Sequence, residues 1–117
     1  MAAEHSSPMI DPAIALAKAI AGALVLLPGC VRLDAGQFSP IATYGPGERV
    51  DGIAVTVLPD RVQVTVALVA RYDPSRSLFS LADEVREVVS GVAQLLIPLP
   101  VRPIDVVITD LEAEGQG

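Results

Sequence analysis

The stretch from Gly52 to Arg71 leaves the chain little conformational choice, because its side chains alternate in character over almost its whole length. Ile53, Val55 and Val57 share one face of its first half, and Val62, Val64, Val66 and Leu68 share one face of its second, with Pro59 and Asp60 between them. Valine and isoleucine are stiff at χ1 and sit well on a pleated surface, and a Pro-Asp pair turns the chain, so the period of two predicts a long β-hairpin. Arg61, Gln63, Thr65 and Arg71 fall on the opposite face of the second strand. A sheet that is apolar on one side and polar on part of the other needs helices on the apolar side only.

Two segments can supply them. Asp11 is placed as an N-cap with Pro12 at the first helical position, and Pro28-Gly29 ends the apolar run that starts at Ala13. Within it Ile14, Leu16, Ile20, Leu24 and Leu27 can line a core. Ala15, Ala19, Gly22 and Ala23 form a second stripe, small enough to let a sheet of the same domain or another backbone come close. The second helix is read over Ser80 to Leu96: Leu81, Val85, Val88, Val89, Val92, Leu95 and Leu96 recur at three- and four-residue spacing, opposite Asp83, Glu84, Arg86, Glu87 and Gln94. Ser80 with Asp83 suits an N-cap, and Pro98 and Pro100 stop the helix.

Cys30 to Asp34 reads as a short strand, and Ala35 to Asp51, rich in Gly, Pro and polar residues, as a long loop carrying Phe38 and Tyr44. Ile104 to Leu111 reads as a last strand, parallel to the hairpin's second strand because a helical crossover joins them, with a right-handed connection. The expected fold class is α/β (α+β), a two-layer sandwich in the order α-β-β-β-α-β, with two helices on one face of a three- or four-stranded mixed sheet. With 117 residues there is room for one domain, placed at 10–112, between a flexible N-terminal tail at 1–9 and a polar C-terminal tail at 113–117.

Hydrophobic residues make up 51% of the chain and aromatics 3%, so the core is aliphatic and apolar side chains are left over for a contact surface. A net charge of -6 is the opposite of what a phosphate backbone selects, which argues against nucleic acid as a partner. One cysteine, Cys30, and one histidine, His5, far apart in the chain, offer neither a disulfide nor a zinc site.

Leu27-Pro28-Gly29-Cys30 looks like a lipoprotein cleavage site, but Met1 to Asp11 contains Glu4 and Asp11 and no Lys or Arg, and Lys18 interrupts the apolar run. The run is also too short to span a bilayer. No catalytic constellation follows from the residues. Cys30 reads as a small buried hydrophobe, and Asp83, Glu84 and Glu87 lie on the solvated face of a helix beside Arg86. Asp105 and Asp110, five residues apart in one strand, are expected to point to opposite faces. Gly45-Pro46-Gly47 lacks the Lys-Ser/Thr ending and the following helix of a phosphate loop, and no basic Gly-x-x-Gly loop of an RNA-binding KH domain is present.

Several of these stretches together resemble one family. They are the opening helix ending in Leu27-Pro28-Gly29-Cys30, the run from Ile41 to Ile53 through Thr43-Tyr44-Gly45-Pro46-Gly47, the valine hairpin, Leu81-Ala82-Asp83-Glu84-Val85-Arg86, and Pro103-Ile104-Asp105-Val106-Val107-Ile108. Over about Ile10 to Glu112 the chain is similar to the alkaline shock protein family of envelope stress response proteins in its actinobacterial form, although that family usually has valine where Cys30 stands. The resemblance implies a non-enzymatic scaffold or interaction domain without cofactor or metal. It also implies a cytoplasmic place at the periphery of the inner membrane face, reached through a membrane-anchored protein partner in a homo- or hetero-oligomer, with no insertion into the bilayer. It carries over no site residues. The candidate interaction surface comes from the residues alone: Ala15, Lys18, Ala19 and Gly22 on the first helix, and Thr43, Tyr44 and Gly45 in the loop. The alternative is a small ligand-binding domain or enzyme that uses the 35–51 loop.

Overall fold

A computed structural model describes residues 11–37 and 40–113; the expected N-terminal tail, His5, Phe38 and the last four residues lie outside them. The elements are α1 (Pro12–Leu24), β1 (Cys30–Leu33), β2 (Ala42–Gly45), β3 (Glu48–Asp51), β4 (Ile53–Val57), β5 (Val62–Tyr72), α2 (Leu78–Leu96) and β6 (Val101–Ala113). β5 is the central strand. Along one side β4 and then β1 pair with it antiparallel, and along the other β6 runs parallel, which makes a four-stranded mixed sheet. β2 and β3 form a separate two-stranded ribbon.

The hairpin forms as its alternation predicts, with Val57 opposite Val62 and the Leu58 N–H donating to the Arg61 carbonyl at 2.8 Å across the turn. Val62, Val64, Val66, Leu68 and Ala70 then point to one face of β5. Leu16, Ala17, Ile20 and Leu24 of α1 and Leu81, Val85, Val89 and Ala93 of α2 close on that face in a single aliphatic core. The order α-β-β-β-α-β and the two helices on one face stand as expected, with the β2–β3 ribbon as an addition.

Four expectations are corrected. The 35–51 segment is not all loop: Ala42 pairs with Asp51 and Gly45 with Glu48, around a tight turn in which Gly47 takes φ +71. Glycine meets that backbone requirement without strain, so the residues that suggested a loop here close a ribbon. α2 starts at Leu78, where the Ser77 hydroxyl accepts the Ser80 N–H at 3.0 Å, and Ser80 is already inside the first turn. Leu95 and Leu96 are exposed and Ala17 is in the core, while Leu27 packs half-buried against it as expected.

The fourth correction concerns β6, which runs to Ala113 and is irregular where Leu68 pairs with Ile108 but Val69 with Asp110. Asp105 therefore lies opposite Thr65 and Asp110 opposite Val69, four residues apart on β5, so the bulge brings the two carboxylates to one face. They remain roughly 13 Å apart along the strand, too far to share a proton.

Candidate functional site

The proposed surface residues fall on two adjoining elements. α1 lies against the ribbon, where Lys18 Nζ meets Glu48 Oε1 at 2.8 Å and a Cβ on Gly45 would stand 3.1 Å from the Ile14 side chain. Ala15 and Ala19 are half-buried, and Gly22 is exposed with nothing within 4 Å of where a Cβ would sit. The small-residue stripe is thus partly open rather than packed on the sheet. Tyr44 is exposed, whereas Thr43 is buried: its hydroxyl donates to the Ile53 carbonyl at 2.6 Å and accepts the Val55 N–H at 3.0 Å. That side chain ties the ribbon to β4 and is closed to a partner in this arrangement.

A concavity lies elsewhere, at the carboxyl ends of the parallel strands β5 and β6, where the chain enters α2. It is a cleft of about 480 Å³. In α/β sheets the crevice beyond the strand ends is the usual place for a binding site, and this volume is within the range of pockets that hold ligands. Leu81, Leu78 and Leu111 give it an apolar floor and wall, Tyr72 stands at its side, and Pro28-Gly29 closes it from the end of α1. Gly29 sits close against Leu81: a Cβ there would come within 2.7 Å of Leu81 Cδ1, so the leucine would have to shift. The apolar surface continues along the chain past the cleft: Phe79, next to Leu78, is 85% exposed and Leu26, two residues before Pro28, is 81% exposed.

Its polar groups are Arg71, Asp73, Arg76 and Ser77. The Ser75 hydroxyl at 2.7 Å and the Ser75 N–H at 2.9 Å both donate to Asp73, which holds its carboxyl below the ordinary aspartate range. Arg76 pairs with Glu84 on α2. Arg71 donates from Nε to the Pro28 carbonyl at 3.3 Å, and among the described residues it meets no carboxylate. Among the described residues the cleft therefore presents one cation fixed at its Nε and otherwise uncommitted.

Cys30 is buried, and burial pushes its thiol up, away from the reactive thiolate. Among the described residues no cluster of His, Cys, Asp and Glu could hold a metal ion, and no helix is long and apolar enough to cross a membrane. The residue pattern did not reveal the cleft, because its walls come from segments distant in sequence. The available signal was Leu78-Phe79, two large apolar residues beside Asp73-Pro74, at the start of a strand-helix-strand crossover. No family model, curated protein or solved structure matches the chain.

Proposed function

We propose that this chain is a non-enzymatic protein-interaction domain. The observation that carries the reading is the cleft with exposed Leu78 and Leu111 in its wall, and with exposed Phe79 and Leu26 one and two residues along the chain from its lining. Large apolar side chains exposed beside a cleft are a feature of contact surfaces. Among the described residues the cleft has no paired carboxylates or activated nucleophile to set against this, and Asp73 is engaged by Ser75 and Arg76 by Glu84. The cellular setting, envelope stress at the cytoplasmic face of the membrane through a membrane-anchored partner, is proposed from the resemblance of the segments around Thr43-Tyr44-Gly45 and Pro103 to Ile108 to the alkaline shock protein family.

The test is a photo-crosslinking amino acid placed at Phe79 of the full chain in cells, with a second at Glu87 on the solvated side of α2 as control. Phe79 is expected to capture one membrane-anchored protein, identified by mass, that Glu87 does not. A third probe sits at Tyr44; equal capture at Phe79 and Glu87, or no specific capture at Phe79 and Tyr44 alike, sinks the reading.

A further inference from the structure

We infer that the cleft between β5, β6 and the start of α2 docks an extended peptide segment of a partner that carries a carboxylate next to a large apolar side chain. The inference rests on the protein-interaction reading and gives it a chemistry.

Three observations lead to it. The first is charge. The chain carries a net charge of -6, yet in this cleft Arg76 is paired by Glu84 and Asp73 is held by Ser75, while Arg71 meets no carboxylate among the described residues. Arg71 is the better placed of the two. Its Nε is fixed on the Pro28 carbonyl, which orients the guanidinium, and both Nη groups remain for a carboxylate that the described residues do not supply. A guanidinium oriented in advance loses less freedom when it forms a fork with a carboxylate.

The second is shape and lining. Leu78, Leu81 and Leu111 surround a space of about 480 Å³, room for one or two side chains. An apolar anchor inside a pocket with a charge at its rim is the usual composition of a binding hot spot. The third is extent. Phe79 and Leu26, one and two residues along the chain from Leu78 and Pro28 of the lining, are exposed, and a small molecule that filled only the cavity leaves them in water. A polypeptide crossing the cleft covers them as well.

The probes are two pools of short fluorescent peptides, one with Leu-Phe flanked by Asp and Glu, the other identical except for Lys at the acidic positions. Binding to the full chain is followed by anisotropy, and the contact is mapped by amide chemical shifts. The acidic pool is expected to bind, to weaken with added salt, and to shift Tyr72, Leu78 and Leu111. Arg71→Gln and Leu78→Ser are each expected to weaken it about tenfold or more, with the circular dichroism spectrum unchanged. Arg71→Lys is expected to restore only part of the affinity, because the fork is lost. Arg61→Ala, at the opposite end of β5 from the cleft, is expected to leave it alone.

The proposal is overturned if neither pool binds, if both bind equally, if Arg71→Gln has no effect, or if the shifts map elsewhere. Phosphatidylglycerol vesicles that bind this end through Arg71 while no peptide does would replace the peptide by a lipid surface. Crosslinking separates this proposal from the one beneath it. A specific partner captured from Tyr44 but not from Phe79 leaves an interaction domain and removes the cleft, whereas no specific capture from either removes both.

Discussion

The two sides of β5 are finished in different ways. On one side β4 and β1 share the strand end to end, and the join between them is sealed by backbone. The Gly52 carbonyl accepts from the Ala67 N–H at 2.7 Å, and the Asp34 N–H donates to the Ala67 carbonyl at 3.0 Å. The outer groups of β4 are taken up in turn by Thr43, which bonds Ile53 and Val55. On the other side β6 is a long edge strand guarded by side chains. Arg86 Nε donates to the Ile104 carbonyl at 3.0 Å, and Asp110 accepts the Leu111 N–H at 2.8 Å. Buried backbone needs a fixed partner, whereas an edge in solvent needs only to be made unattractive to another strand. The sealed side should therefore respond to substitution with large losses of stability, and the guarded side with changes in association.

Gly52 should show the largest effect. Its φ is +86, and a Cβ would stand 2.8 Å from Leu33 Cβ and 3.0 Å from both the Ala67 carbonyl and the Asp34 nitrogen. Two of these three are backbone atoms that no rotamer can move. Gly52→Val should cost about 3 kcal/mol or more, or prevent folding, as read by urea unfolding of the full chain. A variant as stable as the parent contradicts the sealed join. Thr43→Val comes next. It leaves the buried Ile53 carbonyl and Val55 N–H without a partner at a cost of about 1–3 kcal/mol, while Thr43→Ser, which keeps the hydroxyl, loses much less. If valine and serine behave alike, the hydroxyl is not what ties the ribbon to β4.

The difference between the two sides also explains what could be read from the sequence. The core was legible, because alternation in β4 and β5 and the four-residue spacing of Leu81, Val85 and Val89 are local patterns written by burial. The first and last turns of α2 were less so: Ser77 and Ser80 are equivalent as isolated cap candidates, and the choice depends on how Asp73 and Ser75 shape the preceding turn. The role of Thr43 was hidden, since a threonine in a Gly- and Pro-rich stretch does not announce a bond to a strand ten residues away. The cleft was hidden for a similar reason. Pro28, Tyr72, Leu78 and Leu111 meet only because β5 and β6 run parallel with α2 between them.

A smaller effect comes from the link between the two sides. Thr109 Oγ1 on β6 lies 2.7 Å from Asp34 Oδ2, just after β1, and Gly36 N–H adds a bond at 3.3 Å. The Thr109 hydroxyl first, and the Gly36 amide second, lower the Asp34 pKa from its ordinary value. A carboxyl whose pKa is lower folded than unfolded stabilises the fold fully above its unfolded pKa, near 4. That contribution is lost as pH falls through the folded value. Unfolding measured from neutral pH downward should therefore show a loss below about pH 4 that Thr109→Val reduces. An unchanged acid limb in the variant means that the link does not hold Asp34.

The guarded side gives the smallest change in stability and the most specific change in behaviour. Val62 donates to the Pro100 carbonyl while Ala67 turns to Gly52, so the even-numbered residues Val62 to Leu68 of β5 face β6. With Val64 opposite Ile104, the backbone groups of Ile104, Val106 and Ile108 then point away from β5, toward solvent. Arg86 occupies the first of these positions and Asp110 the amide beyond the bulge, which leaves Val106 and Ile108 as a window too short for a long ladder. Arg86→Ala removes an exposed bond and a surface pair with Asp83, for a loss of about 1 kcal/mol or less. It also frees the Ile104 carbonyl and lengthens the open edge. Sedimentation velocity over a concentration series should show the variant associating more than the parent, and Arg86→Lys, which can still reach the carbonyl with a donor, should associate less than alanine. Sedimentation identical to the parent would show that Arg86 is only a surface charge, and that the bulge and Asp110 alone keep β6 from pairing.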